Sequence, residues 1–328
     1  MRTRSLRDVA ISQNRDKLLH HKKTEANEKT IIVMGSKSCG KTNVIHQFIE
    51  KERGAVESAS TFLLEYTYAR QSGKSLVKDI CHIWELGSNI TFANLLDVVA
   101  KVKYNHPLSI VLMLDLTYPE IILNTVDVLL KAAKSALLKS LELQQNEVIK
   151  RIVVNAEEED KPYLDPFPVQ IAIIGAKYDL FQNMEPAKKR IICQYLRCLA
   201  HILQADLLFY SNNDTSLIKK TRDILLHYGF NISIPSSSIV TDYNKPLRIP
   251  AGFDSFRNIQ GSPAGAINYS LDKYKNSLEA HFNQKTDKQE RLPDDPASDL
   301  NFEEAAIDNL CQQKSEELKL LKKIIERK

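Results

Sequence analysis

Long apolar runs are missing from this sequence. Nothing approaches the ~20 consecutive apolar residues of a membrane-spanning helix, so no membrane span is expected. The first residues, Met1-Arg2-Thr3-Arg4-Ser5-Leu6-Arg7, lack the apolar core of a secretory signal. Cysteine is sparse: Cys39, Cys81, Cys193, Cys198 and Cys311 are odd in number and show no CxxC spacing. That argues against a disulfide framework and a zinc site, and for a reducing compartment. Aromatic residues are absent from residues 1–29, the most basic part of the chain. A base-stacking platform therefore has no support there, and no nucleic-acid partner is expected. Single-sign charge is also confined. Residues 1–29 hold eight Lys/Arg against four acidic residues, an excess equal to the +4 of the whole chain, so the remainder is formally neutral. What is present is ordinary for a soluble globular protein: 328 residues, 43% hydrophobic and 26% charged.

Against this background one stretch stands out, Gly35-Ser36-Lys37-Ser38-Cys39-Gly40-Lys41-Thr42. A glycine, four residues, then glycine, lysine and threonine is the phosphate-binding loop pattern. The apolar, β-branched run Thr30–Met34 precedes it as a buried strand should. After it, Val44, Ile45, Phe48 and Ile49 fall on one helical face. In such a loop the backbone N–H groups, here including those of Ser38 and Cys39, form an anion cradle at a helix N-terminus. Gly35 and Gly40 permit close backbone approach, Lys41 reaches the β/γ phosphates, and Thr42 is the expected magnesium ligand.

The rest of the chain fits an α/β fold with a mostly parallel sheet. Thr61–Tyr68 and Lys78–Leu86, joined through a turn at Gln71–Lys74, read as an antiparallel hairpin, because a parallel pair needs a longer crossover. A hairpin directly after the first strand and helix is the arrangement of Ras-like GTPases. Leu108–Asp115 and Val169–Ile174 are near-continuous apolar runs, the mark of strands buried on both faces. Helices are expected near Leu95–Val99, from Pro119 onward with Ile122, Val126, Leu129, Ala133, Leu137 and Leu141 facing the core, across 186–202 and over 215–227. Asp206–Tyr210 supplies a further strand, giving a six-stranded sheet with one antiparallel edge strand, flanked by helices. Residues 144–165 read as a polar surface insertion.

The expected organisation is a basic, helical leader over 1–29 and the Ras-like P-loop domain over 30–232. An extended segment and short helix packing on the domain over 233–283, a linker over 284–300 and a charged helix over 301–328 follow. In that last helix Ile307, Cys311, Leu318, Leu321 and Ile325 lie on one side.

A working GTPase needs more than the cradle. At the second switch, Trp84-Glu85-Leu86-Gly87-Ser88 fits a DxxG pattern through Gly87, with Trp84 at the aspartate position and Ser88 where glutamine would orient water. Glu85, one residue off, is expected on the opposite face of the strand. The base reader, Ala176-Lys177-Tyr178-Asp179, keeps the lysine and the aspartate and loses the amide. Asp179 can accept from guanine, Lys177 can stack on the ring, and Ser211 opens a loop that half matches the backbone-donating one. Phosphate binding is therefore expected and turnover is not. The bound group is left open: GDP or GTP with Mg2+, or none. His82 and Trp84 read as core or interface residues, with no carboxylate partner evident.

Taken with the loop, several segments follow in this order: Leu64-Glu65-Tyr66-Thr67-Tyr68, Trp84-Glu85-Leu86-Gly87, Asp165-Pro166-Phe167-Pro168-Val169, Ile174-Gly175-Ala176-Lys177-Tyr178-Asp179 and Ala251-Gly252-Phe253-Asp254-Ser255-Phe256. In this the chain resembles the dynein light intermediate chains, and its length and the Gly261-Ser262-Pro263 after Phe256 resemble the cytoplasmic dynein-2 type. The resemblance implies a non-catalytic subunit that binds the dynein-2 heavy chain through its Ras-like domain. It implies contact with other dynein-2 subunits and the intraflagellar transport machinery, in the cytoplasm, on the cytoskeleton and at the cilium and its base. The competing reading is a small-GTPase-like switch that cycles its nucleotide. Tyr66, Tyr68, Trp84, Phe253 and Phe256 are the aromatic residues expected to anchor the heavy chain, Phe253 and Phe256 more than Trp84.

Overall fold

The apolar strand at the start of the P-loop pattern is the centre of the sheet. In the computed structural model the described residues are 28–49, 61–72, 78–87, 90–101, 107–143, 156–235, 238–261, 269–285 and 304–326. In chain order, β1 (Glu28–Gly35) leads to α1 (Lys41–Ile49), then to β2 (Leu64–Ser72), β3 (Lys78–Leu86) and α2 (Leu96–Lys101). β4 (Leu108–Asp115) is followed by a 3-10 turn at Pro119–Ile121 and the long α3 (Ile122–Leu143). Next come β5 (Gln170–Ala176), the single turn α4 (Tyr178–Phe181), α5 (Pro186–Leu203), β6 (Asp206–Phe209) and α6 (Thr215–Phe230). β7 (Arg248–Ile249), α7 (Phe256–Gln260), α8 (Leu271–His281) and α9 (Ala305–Glu326) complete the series.

The sheet order is β2-β3-β1-β4-β5-β6-β7. β1 pairs parallel with β3 and β4, β4 with β5, and β5 with β6; β2 and β7 are antiparallel to their neighbours. The sheet therefore has seven strands and two antiparallel edges, where six strands and one such edge were expected. The extra strand comes from the segment after residue 235, and only two of its residues pair, Ile249 with Leu207 and Arg248 with Leu208. A pairing that short leaves no alternating pattern to read.

Burial alternates along the central strands and splits the core into two layers. Ile32 and Met34 face one side with Leu112, Leu129, Ile173, Leu196 and Phe209. Ile31 and Val33 face the other with Val44, Phe48, Val111, Ile174, Leu208 and Tyr228. Both faces are covered, as parallel strands require. β1 lies where the chain has placed β3 on one side and β4 on the other. In open α/β sheets that switch point, at the carboxyl ends of the strands, is where ligands bind.

The segment after β7 is locked down rather than draped. Arg197 on α5 grips Asp254 through two bonds, Nε to Oδ2 at 2.8 Å and Nη2 to Oδ1 at 2.7 Å, both side chains being buried. Phe256 is completely buried against His201, ring centroids 4.8 Å apart. Asp160 Oδ2 accepts from the Phe256 backbone N–H at 3.1 Å and sits 2.9 Å from His201 Nε2. Two expectations change here. Asp160 lies in a stretch expected to be surface, yet it is buried between α5 and the 251–256 segment, while Glu157, Glu158 and Glu159 stay exposed. Phe256 is a core residue and not an interface anchor; Phe253 remains 52% exposed.

The chain divides into two units, Met1–Asp287 and Lys288–Lys328. The second unit contains α9, whose described side chains are all exposed. The basic leader, apart from Glu28 and Lys29 in β1, lies outside the described residues, as do most of the 284–300 linker, Ser88 and Ser262-Pro263.

Candidate functional site

The P-loop runs off the carboxyl end of β1 and turns into α1. Gly35 has φ +145°, and a Cβ there would stand 1.8 Å from the Met113 carbonyl oxygen on β4, so only glycine fits. Gly40 has φ +94° and Ser38 takes a left-handed φ of 53°. Ser36 N–H donates to Met113 O at 2.9 Å, and Asp115 N–H donates to Ser36 Oγ at 3.2 Å, which ties the loop to the end of β4. Cys39 is buried below the loop with its Sγ 3.8 Å from Met113 O, and burial pushes its thiol up. Its contribution to the cradle is backbone, not thiol chemistry. Lys41 is buried, and its ammonium donates to Ser36 O at 2.9 Å and to Gly35 O at 3.3 Å.

The acidic partner of the loop is present. Thr42 Oγ1 donates to Glu85 Oε1 at 2.8 Å, and Glu85 is only 4% exposed. This corrects the expectation that Glu85 points away and that Trp84 takes the acid's place. On β3, Cys81, Ile83 and Glu85 are buried on the parity that faces α1; His82, Trp84 and the buried Leu86 take the opposite face. Counting back from Gly87 misplaces the acid by one residue. The better signal was the apolar Cys81 and Ile83, four and two residues before it. Burial pushes the Glu85 carboxyl above the usual range; the Thr42 hydroxyl and the charge of Lys41 oppose that rise.

Gly87 does not serve the loop. Its N–H donates to Leu63 O at 2.6 Å, and a Cβ on it would meet Thr61 O at 2.4 Å. The N–H that a switch would offer to a γ-phosphate is spent on Leu63, the residue just before β2.

The base-reading side is assembled but rewired. Lys177, at φ 60°, places its Nζ 2.6 Å from Asp115 Oδ2 and 5.8 Å from the centre of the Tyr118 ring. Asp115 is buried, and its other oxygen accepts from the Thr117 N–H at 2.9 Å and the Thr117 hydroxyl at 2.6 Å. The ammonium of Lys177 is thus held by Asp115, leaving only its stem for stacking. Asp179 Oδ1 accepts from Ser211 Oγ at 2.9 Å, and Oδ2 accepts from Asn213 Nδ2 at 3.0 Å. Sequence reasoning brought Lys177, Asp179 and Ser211 to this place and missed Ser36, Asp115 and Asn213. Tyr210, beside Gly40, links the two sides, its hydroxyl donating to Gln47 Oε1 on α1 at 3.0 Å; burial raises it to about 12.

The donor set suits a magnesium-bound phosphate group. A narrow glycine cradle, a buried lysine, and a threonine backed by a carboxylate are what such a group requires. The base side fits less fully, with Ala176 where an amide would be. Among the described residues no cluster of three or more His, Cys, Asp or Glu could hold a metal by itself, and no helix is long and apolar enough to cross a membrane.

On the other face of β3, Tyr66 OH lies 2.8 Å from His82 Nδ1 and its ring 4.9 Å from Trp84. His82 Nε2 lies 3.3 Å from Glu28 Oε2, so it has the carboxylate partner that was not evident in sequence. Tyr66 and Tyr68 are 45% and 44% exposed.

Known proteins resemble this chain along most of its length. Residues 17–160 match the family model described as Dynein light intermediate chain (DLIC). The chain is 32% identical to cytoplasmic dynein 2 light intermediate chain 1 of Danio rerio, over 96% of this chain and 93% of the relative. It is 34% and 35% identical to the proteins of that name from Mus musculus and Homo sapiens, in each case over 91% of this chain and 89% of the relative. Its fold is similar to that in the crystal structure of the dynein light intermediate chain's conserved domain, with a TM-score of 0.54 at 16% identity, covering 84% of this chain and 96% of that one. A glycine cradle backed by Glu85, a Ras-like sheet and relatives matched along nearly the whole chain lead to one assignment: this chain belongs to the dynein light intermediate chain family.

Proposed function

We propose that this chain is a non-catalytic accessory subunit of the cytoplasmic dynein-2 motor. In this reading its Ras-like domain binds the heavy-chain tail, beside other dynein-2 subunits and the intraflagellar transport machinery. It supports retrograde intraflagellar transport and cilium assembly, in the cytoplasm, on the cytoskeleton and at the cilium and its base. The observation that carries the reading is the match to dynein-2 light intermediate chains along nearly the whole chain.

The nucleotide site is read as a static holder. Gly35, Ser38, Cys39, Gly40 and Lys41 would surround the phosphates of GDP or GTP, Thr42 with Glu85 behind it would hold Mg2+, and Lys177, Asp179 and Ser211 would frame the base. The ion would neutralise phosphate charge. The cycling alternative needs a glycine N–H free to sense the γ-phosphate, and that of Gly87 is committed to Leu63 O at 2.6 Å. Chromatography of nucleotide released on denaturing the purified protein tests occupancy. One equivalent of GDP or GTP supports the holder reading; none limits the site to structure.

The heavy chain is placed on the Ras-like domain and not on α9 alone, because a stable subunit contact buries more than about 1,000 Å² and one short helix supplies little of it. Co-purification of the heavy-chain tail with residues 1–300 and with a 284–328 peptide decides the matter. Retention by the peptide and loss by 1–300 would refute the placement.

A further inference from the structure

We infer that the site holds nucleoside diphosphates by their phosphate groups and does not read the base, because Asn213 occupies the carboxylate that would do the reading. This rests on the holder reading above and narrows it to a ligand class, a diphosphate carrying any purine or pyrimidine. Guanine differs from adenine in two adjacent donors on one edge, N1–H and the 2-amino group. A carboxylate distinguishes them when its two oxygens meet both donors side by side. Asp179 is the carboxylate at that place, and both of its oxygens already accept: Oδ1 from Ser211 Oγ at 2.9 Å and Oδ2 from Asn213 Nδ2 at 3.0 Å. Ser211 is buried, whereas Asn213 is exposed and reaches Asp179 from the solvent side, the side from which a base enters.

The contact is built into the loop between β6 and α6. Ser211 Oγ, which donates to Asp179, also accepts from the Asn213 backbone N–H at 3.2 Å. Asn212 Oδ1 accepts from Gln47 Nε2 on α1 at 2.7 Å and from the Tyr210 hydroxyl at 3.3 Å. Asp214 caps α6, its Oδ1 accepting from the N–H groups of Ser216 at 2.8 Å and Leu217 at 3.4 Å. With both neighbours tied down, Asn213 is held over the carboxylate. A guanine that displaced it would gain one hydrogen bond to a charged group and lose another, which cancels the discrimination.

The remaining base contacts carry no choice either. Ala176, fully buried, presents a methyl group in place of an amide. The Lys177 ammonium is held by Asp115 Oδ2 at 2.6 Å, which leaves its stem as an apolar platform. Stacking on such a platform accepts every base, since each has a π-face. Affinity therefore comes from the phosphate end, where Lys41 is buried in the glycine cradle and Thr42 is backed by Glu85.

Equilibrium binding to the full-length chain, stripped of bound nucleotide and supplied with magnesium, tests this with GDP, ADP and CDP as probes. The three are expected to bind with dissociation constants within about threefold of one another, the spread left when no bidentate base contact discriminates. Asn213→Ala opens Oδ2 of Asp179 and is expected to tighten GDP alone, giving it a preference of about tenfold over ADP, as one bidentate contact to a base edge supplies. Adding Asp179→Asn to that variant should abolish the preference. A preference for GDP of about tenfold or more in the parent chain would overturn the inference and leave the holder reading standing. An Asn213→Ala variant that treats GDP and ADP alike would also overturn it, by removing Asn213 as the cause. Failure of all three probes to bind the parent would overturn the holder reading and this inference with it.

Discussion

The hydroxyl of Thr42 donates to the carboxylate of the buried Glu85 across 2.8 Å, joining the first residues of α1 to the end of β3. Burying a carboxylate there is unfavourable unless it is compensated, and the Thr42 hydroxyl and the charge of Lys41 supply that compensation.

The first prediction concerns that residue. Because burial holds the Glu85 carboxyl above the usual range in the folded state, it stays protonated there to higher pH than in the unfolded chain. The stability it supports is complete below the ordinary glutamate range and is lost as pH rises through the raised value. Glu85→Gln keeps an acceptor for Thr42 and removes the titration. Relative to the parent, the variant should gain stability as pH climbs through that window and then level off. Urea melts across pH measure this, and parallel curves for the two proteins would defeat it. Added magnesium and GDP should raise the melting temperature of the parent more than that of the variant.

Lys41→Ala should destabilise the protein even without nucleotide. The ammonium satisfies two loop carbonyls, Gly35 O and Ser36 O, in a buried position. Loss of a buried charged donor costs about 1–3 kcal/mol. If the loop holds nucleotide, the variant should also lose the stabilisation that GDP gives the parent, which a pair of melting curves separates. A melt identical to the parent in both conditions would contradict the contacts described.

The two loop glycines should behave differently. Gly35→Ala drives a Cβ to 1.8 Å from the Met113 backbone and should yield insoluble or grossly unstable protein. Gly40→Ala meets nothing closer than the Tyr210 ring at 3.9 Å, so only its positive φ is strained, a cost of about 1–3 kcal/mol. Soluble expression and melting temperature rank the two, and the reverse order would be inconsistent with the loop geometry.

Arg197 and Asp254 form a buried two-bond pair that secures the chain after β7. Asp254→Leu or Arg197→Leu alone should cost about 3–5 kcal/mol, because one charge is left buried and uncompensated, whereas replacing both with apolar residues should cost far less. A double-mutant cycle in denaturant measures the coupling; additive effects would show that the pair does not act as a unit.

Hydrolysis should be negligible. Steady-state phosphate release at the level of an activated GTPase, abolished by Lys41→Ala, would restore the switch reading.

The P-loop, the buried strands β1, β4 and β5 and the helices between them were legible in the sequence because each is encoded locally. Glycine spacing, apolar runs and a 3.6-residue stripe declare themselves within a dozen residues. The loop residues, and Lys177, Asp179 and Ser211 beyond them, follow from motifs carried on those elements. The residues that decide what the site can do were not local. Whether Glu85 or Trp84 faces Thr42 depends on the pairing of Val33 with Glu85 between two strands, and an error of one residue along a strand turns a side chain to the other face. The loss of the Gly87 N–H to Leu63 O, the grip of Arg197 on Asp254 and the burial of Phe256 beside an exposed Phe253 likewise arise from contacts between distant segments. By itself the sequence determined the buried strands and helix faces and where the glycine loop between β1 and α1 must turn. Tertiary structure alone decided which acid stands behind it, which N–H is spent elsewhere and which aromatic rings remain in water, because those depend on strand register and side-chain pairing that no local pattern records.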